Sequence, residues 1–217
     1  IKNDVLFENS EGFAGFIREI HKLVQVSELV QVSDLNQPGV KDVSANTLNV
    51  GYRATRQIME LAWHVLGDKP TMTVPREGKP VKIIRTKTWE ETAEQTGNIL
   101  NTYLEERPNA LVGVICRYKA DADQIFEKLK RLGVISLRRC QRDDFSFQPG
   151  VIVTNAHQVK GLEFSAVIII NPDSDQYRDT GENRMLLHMV MTRASDQLWI
   201  IGHQPMAYGI EKCRSEK

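Results

Sequence analysis

Two runs in this chain are apolar on both faces of any strand they form: Ala110-Leu111-Val112-Gly113-Val114-Ile115-Cys116 and Ala166-Val167-Ile168-Ile169-Ile170. A strand with one solvated face alternates apolar with polar residues. A strand covered on both sides does not, so such runs point to the middle of a parallel sheet. The segments around them agree. Short apolar runs at 47–50, 81–84, 151–154 and 198–201 alternate with longer amphipathic stretches at 55–66, 89–104, 120–132 and 182–194. Strand alternating with helix predicts an α/β fold, a parallel sheet with helices on both faces. In such sheets a ligand is expected beyond the carboxyl ends of the strands, where Thr154, His157 and Arg117 fall. Upstream, Phe13, Phe16, Ile17, Ile20 and Leu23 predict an amphipathic helix over 11–24, and residues 25–45, punctuated by Pro38-Gly39, read as a connector. The expected organisation is a helix and connector over 1–45 and a larger domain over 46–217.

At 217 residues the chain can bury a core without disulfides or metal. The formal net charge is zero, so nucleic-acid contact has to come from a few placed groups and not from bulk basicity. Cys116, Cys140 and Cys213 are odd in number and form no Cys-x-x-Cys pair, and the histidines other than His157 (His21, His64, His188 and His203) show no ligand spacing. Reduced thiols in the cytoplasm and no metal centre are expected. No run of 18 apolar residues and no signal-type leader is present, which predicts no membrane association. The first residue is Ile, as expected of a fragment of a longer protein.

Three segments carry chemistry. Val50-Gly51-Tyr52-Arg53-Ala54-Thr55 places an aromatic ring and a guanidinium at a strand-to-helix turn; they are either surface residues or a base-stacking and phosphate-binding pair. In His157-Gln158-Val159-Lys160-Gly161-Leu162-Glu163-Phe164, Gly161 permits a backbone conformation closed to other residues, and Leu162 and Phe164 are expected core anchors. That leaves Lys160 and Glu163 on a constrained turn, either solvated or in contact with a ligand, and His157 as a structural hydrogen bonder or a ligand contact. In the predicted helix 182–194, Met185, Leu186, Met189 and Val190 form the apolar face. Arg193 then serves as a helix-end cation or reaches across a cleft. No Gly-x-x-x-x-Gly-Lys-Ser/Thr pattern occurs anywhere in the chain. The basic segment Leu137-Arg138-Arg139-Cys140-Gln141-Arg142 reads as a solvated loop ahead of a binding patch.

The Tyr-Arg turn, the strand ending Ile-Cys-Arg, the His-x-x-Lys-Gly-Leu-Glu-Phe turn and the Leu-Leu-x-x-x-Met-Thr-Arg-Ala segment, in that order, resemble the later motifs of superfamily 1 helicases of the UvrD/Rep/PcrA type. The resemblance runs from about Asn46 to His203 and corresponds to the second RecA-like domain of those motors, which lacks a phosphate loop of its own. It implies an ATP-dependent DNA helicase or translocase, a hydrolase that is inactive as this fragment alone. It further implies that Tyr52 stacks on adenine, that Arg53 and Arg193 are the catalytic γ-phosphate arginines, and that Glu163 binds the ribose with Gly161 beside it. His157, Lys160 and Arg117 are the implied contacts to single-stranded DNA. ATP would be shared with an N-terminal RecA-like domain holding most of the Mg2+ ligands.

Three departures stand out. Asn155 occupies a place where the family has Thr, and His188 one where it has Tyr. The stretch between Val134 and Val151 is too short for the subdomain that UvrD and Rep insert there. With Gly78-Lys79-Pro80-Val81 before a strand, the compact spacing looks like the HelD branch, whose members act on RNA polymerase. A helicase-derived module docking on RNA polymerase or a repair protein is therefore the alternative reading. A self-contained nucleotide-binding enzyme is a third, and it would need a Gly-rich turn after its first strand; Gly12 and Gly15 lie in a helical pattern instead.

Overall fold

The computed structural model describes residues 53–67, 73–140, 148–203 and 205–212. The helix expected over 11–24, the connector, the strand expected at 47–50, Tyr52 and Cys213 lie outside the described residues. In chain order the elements are α1 (Arg56–Leu66), β1 (Lys82–Arg85), α2 (Trp89–Glu106), β2 (Leu111–Cys116), α3 (Lys119–Arg131), β3 (Leu137–Arg139), β4 (Gly150–Asn155), a 3-10 turn (Ala156–Gln158), β5 (Phe164–Ile170), α4 (Gly181–Met191), β6 (Ala194–Gly202) and α5 (Tyr208–Lys212). The strands form one sheet in the order β1-β6-β5-β2-β4-β3, and every pairing is parallel. This is the expected α/β architecture, and the two doubly apolar runs are its central neighbours β2 and β5.

On one face Val112, Val114, Val153, Ala166 and Ile168 join Leu100 of α2 and Ile125 and Leu129 of α3 in a single cluster. On the other, α1 packs against α4 and α5, with Ile58, Leu186 and Val190 buried. Burial overrides local preference in α2, which contains Gly97 and three threonines. Such residues cost roughly 0.5–1 kcal/mol each relative to Ala, whereas burying a side chain such as Leu100 contributes about 1.5–3 kcal/mol. All three threonine hydroxyls also donate back along the helix, Thr92 to Thr88 O at 2.9 Å, Thr96 to Thr92 O at 2.6 Å and Thr102 to Asn98 O at 3.0 Å.

Two local expectations need correction. Leu137–Arg139 is not a loop but the edge strand β3. Its Arg139 donates to Asp123 at 2.8 Å and to the carbonyls of Cys140 and Val153 at 2.7 and 3.1 Å. The guanidinium is committed to structure, and a strand of three residues is too short to show a period. Secondly, the helix expected to reach Ala194 ends at Met191 with Thr192 as its cap, and β6 starts at Ala194. The apolar pattern runs on because the strand begins at once, so Arg193 sits in the turn between the two. The inward residues of α4 are Leu186, Leu187, Val190 and Met191, while Met185 and Met189 are only partly buried.

The parallel topology dictates where each connection runs. Because β4 and β5 are parallel and flank β2, the segment 156–163 must return from the carboxyl edge of the sheet to its amino edge. Parallel crossovers normally take a dozen or more residues and a helix; this one uses a single 3-10 turn. Helix α4 makes the same return between β5 and β6, in contact with that turn. Among the described residues no helix is long and apolar enough to cross a membrane.

Candidate functional site

At the amino edge of the sheet, three residues far apart in sequence meet. Arg53 Nε donates to Glu163 Oε2 at 3.0 Å, with both side chains about half exposed. Arg193 Nε donates to Met189 O at 3.1 Å and its Nη1 to Leu162 O at 3.3 Å, so the guanidinium closes the end of α4 and grips the crossover. Burial and then the like charge of Arg53 lower the Arg193 pKa, and Glu163 opposes them. The group remains a cation at neutral pH. Two guanidiniums thus stand near one carboxylate, Arg53 hydrogen-bonded to it and Arg193 interacting with it through charge alone.

Local backbone chemistry explains the placement. Gly161 has φ +77, and no atom lies within 4 Å of where a Cβ would be, so conformation and not space calls for glycine. The left-handed turn there presents Leu162 O and Glu163 toward Arg193 and Arg53. Phe164 is a buried anchor as expected, whereas Leu162 is only partly buried and contributes its carbonyl. Arg76 was not apparent from sequence. Its Nη1 donates to Arg53 O and Ser195 O at 3.1 and 2.9 Å, tying the turn before α1 to the start of β6. Nothing in Pro75-Arg76-Glu77-Gly78 distinguishes it from a surface loop.

A second group gathers at the carboxyl edge. Arg117, just past β2, has Nη1 2.8 Å from His157 Nε2, and its Nη2 donates to Asn183 Oδ1 at 3.1 Å. The 3-10 turn carrying His157 is held by Asn155 Oδ1, which accepts from His157 N at 3.1 Å, and by Gln158 Oε1, which accepts from Thr154 Oγ1 at 2.8 Å. Asn155 therefore serves as the cap of this turn. Lys160 is exposed, and desolvation lowers its pKa. Asn183 is the second functional candidate that sequence reasoning missed, since its role depends on a partner 66 positions away.

Desolvation and then Arg117 lower the His157 pKa. A neutral imidazole accepts from the guanidinium at Nε2; a protonated one cannot. With the folded pKa below the unfolded one, the unfolded chain binds more protons as pH falls through the ordinary histidine range, so stability is lost on acidification. Thermal unfolding from pH 8 down to 5 is expected to show a loss in the wild type that is smaller in His157→Gln.

Arg117 and His157 lie just past the carboxyl ends of β2 and β4 as expected, whereas Thr154 is a buried residue within β4 and Arg53, Glu163 and Arg193 lie at the opposite edge. The crossover joins the two sets by carrying a member of each on one short segment: His157 near its start, then Lys160 and Gly161, and Glu163 at its end.

The family described as UvrD-like helicase C-terminal domain matches residues 150–201, a stretch that contains His157, Lys160, Gly161, Glu163 and Arg193 but not Arg53 or Arg117. No curated protein matches the sequence. Among solved structures, the C-terminal domain of a possible DNA helicase from Lactobacillus plantarum WCFS1 aligns with a TM-score of 0.61 at 24% identity, covering 74% of this chain and 92% of that one. The Hef helicase domain of Pyrococcus furiosus aligns with a TM-score of 0.41 at 16% identity, covering 58% of this chain and 28% of that one. Residues 150–201 are therefore a match to the UvrD-like helicase C-terminal domain, and the parallel sheet that holds them shares its fold with the C-terminal domain of that possible DNA helicase.

Proposed function

We propose that this chain is the C-terminal motor domain of an ATP-dependent superfamily 1 DNA helicase or translocase, forming one wall of an ATP site completed by a phosphate-loop domain. The observation that carries this reading is the Arg53–Glu163–Arg193 group, two guanidiniums and one carboxylate brought to one edge from three distant parts of the chain. Such a donor set suits a nucleotide: guanidinium forks match phosphoryl oxygens and a carboxylate accepts from ribose hydroxyls. When bound, ATP supplies the phosphoryl group whose transfer to water drives the cycle. Arg53 and Arg193 then neutralise charge as it develops on that group, with no reorganisation at the moment of reaction. Glu163 releases Arg53 to the phosphate and turns to the sugar, and Tyr52, next in sequence to Arg53, stacks on the base.

At the other edge, Arg117 and His157, with Lys160 beside them, contact the phosphates of single-stranded DNA. Displacement of Glu163 or Arg193 on domain closure pulls on the crossover and on α4, and both end against Arg117 through His157 and Asn183. The two sites are therefore mechanically joined. The test is ATP hydrolysis by the full-length protein with and without single-stranded DNA at one fixed low salt concentration. Turnover that rises with DNA and falls with added salt is expected; absence of turnover overturns the motor reading in favour of a docking module.

A further inference from the structure

Tyr118 stands at the carboxyl edge and has no part in the proposed ATP and phosphate contacts. It precedes α3 and is 48% exposed, one of four large apolar side chains so placed among the described residues. An exposed tyrosine is ordinarily unremarkable, but this one is held. Arg117 Cζ lies 5.1 Å from its ring centroid and 5.3 Å from that of the buried Tyr177. Arg117 in turn is fixed by His157 and Asn183 at 2.8 and 3.1 Å. The neighbouring carboxylate of Asp121 accepts from Gln176 at 3.1 Å, and Lys119 beyond Tyr118 is exposed.

The other exposed apolar side chains lack this setting. Leu132 and Ile135 are aliphatic, and the Arg184 over the Tyr208 ring is bonded to Asp179 at 2.5 Å, which cancels its charge. An ordered, half-exposed ring beside a cation is what single-stranded nucleic acid requires of a stacking platform, since every base has a π-face.

We propose that Tyr118 stacks on a base of the single strand whose phosphates meet Arg117 and His157. This rests on the proposed nucleic-acid role of the carboxyl edge and adds to it a contact with the bases. The experiment is equilibrium binding of a fluorescent single-stranded DNA to the full-length protein over a salt series, repeated with a strand of abasic sites.

Tyr118→Ala is expected to weaken binding to the normal strand by about 5- to 150-fold, the range for loss of one stacked base, and Tyr118→Phe to restore most of it. On the abasic strand the alanine deficit should vanish. Tyr118→Ala should keep the wild-type salt slope, whereas Arg117→Ala lowers it by about 0.7, as loss of one phosphate contact does. Tyr208→Ala, the control, should bind like the wild type. Wild-type affinity in Tyr118→Ala, equal loss in Tyr118→Phe, or an undiminished deficit on the abasic strand overturns the stacking role while leaving the motor reading intact. No binding by the wild type overturns both.

Discussion

Arg193→Ala in the full-length protein is expected to cut DNA-stimulated ATP turnover by about 10²- to 10³-fold, measured as kcat at saturating ATP. An arginine delivered to a transferring phosphoryl group is worth about 10³–10⁵ in rate; the lower figure allows for Arg53, which shares the charge and remains. The competing account is structural. Arg193 already donates to Met189 O and Leu162 O, and losing such charge-assisted bonds costs about 1.5–3 kcal/mol each at most. That loss would lower the melting temperature but would not slow the turnover of molecules that remain folded.

Arg193→Lys separates the two. A lysine keeps a cation at the end of α4 and preserves much of the helix-dipole interaction, yet it lacks the planar fork that binds two oxygens at once. Low kcat together with near-normal stability in Arg193→Lys is the expected result. Turnover within a few-fold of wild type in both variants would assign Arg193 to the architecture alone and leave Arg53 as the only arginine of the proposed site.

How much could be read from residues alone depended on how local each signal is. The runs 110–116 and 166–170 announced β2 and β5 because a strand buried on both faces has only apolar positions, whatever surrounds it. Strand β3 was hidden since three residues carry no period, and its arginines imitate a solvated basic cluster. The end of α4 was misjudged by a turn: Ala194, the first residue of β6, is fully buried and extends the apolar pattern of the helix. The candidate site is legible as residue types but not as geometry. Arg53 and Glu163 are 110 positions apart, and Arg117 and His157 are 40 apart, so no window of sequence shows that they meet. That they fall into two groups at opposite edges is a property of the parallel topology, which obliges each connection to cross the sheet.

Phe164→Ala is expected to destabilise the domain by about 3–5 kcal/mol, the usual cost of removing a buried aromatic ring and a large share of the roughly 5–15 kcal/mol that holds a domain together. Phe164 is 1% exposed. Its ring lies over Gly113 on the central strand β2, where an added Cβ would stand 3.1 Å from two ring carbons. A glycine floor cannot move in to fill the space, which places the cost toward the upper end. The same contact supplies a test that simple loss of folding would not pass. Gly113→Ala alone should destabilise by about 1–3 kcal/mol through overpacking, but combined with the smaller Phe164→Leu its methyl enters vacated space. The double variant should therefore be more stable than the sum of the single effects allows, by about 0.5–3 kcal/mol of coupling, read from urea midpoints at unchanged slope. Additive losses would mean that the two residues do not touch. Phe164 N also donates to Arg193 O at 3.0 Å, so the ring anchors the backbone from which both Glu163 and Arg193 project. Low activity in Phe164→Ala would accordingly report a lost anchor, and only measurements on the folded fraction could be set beside those on Arg193.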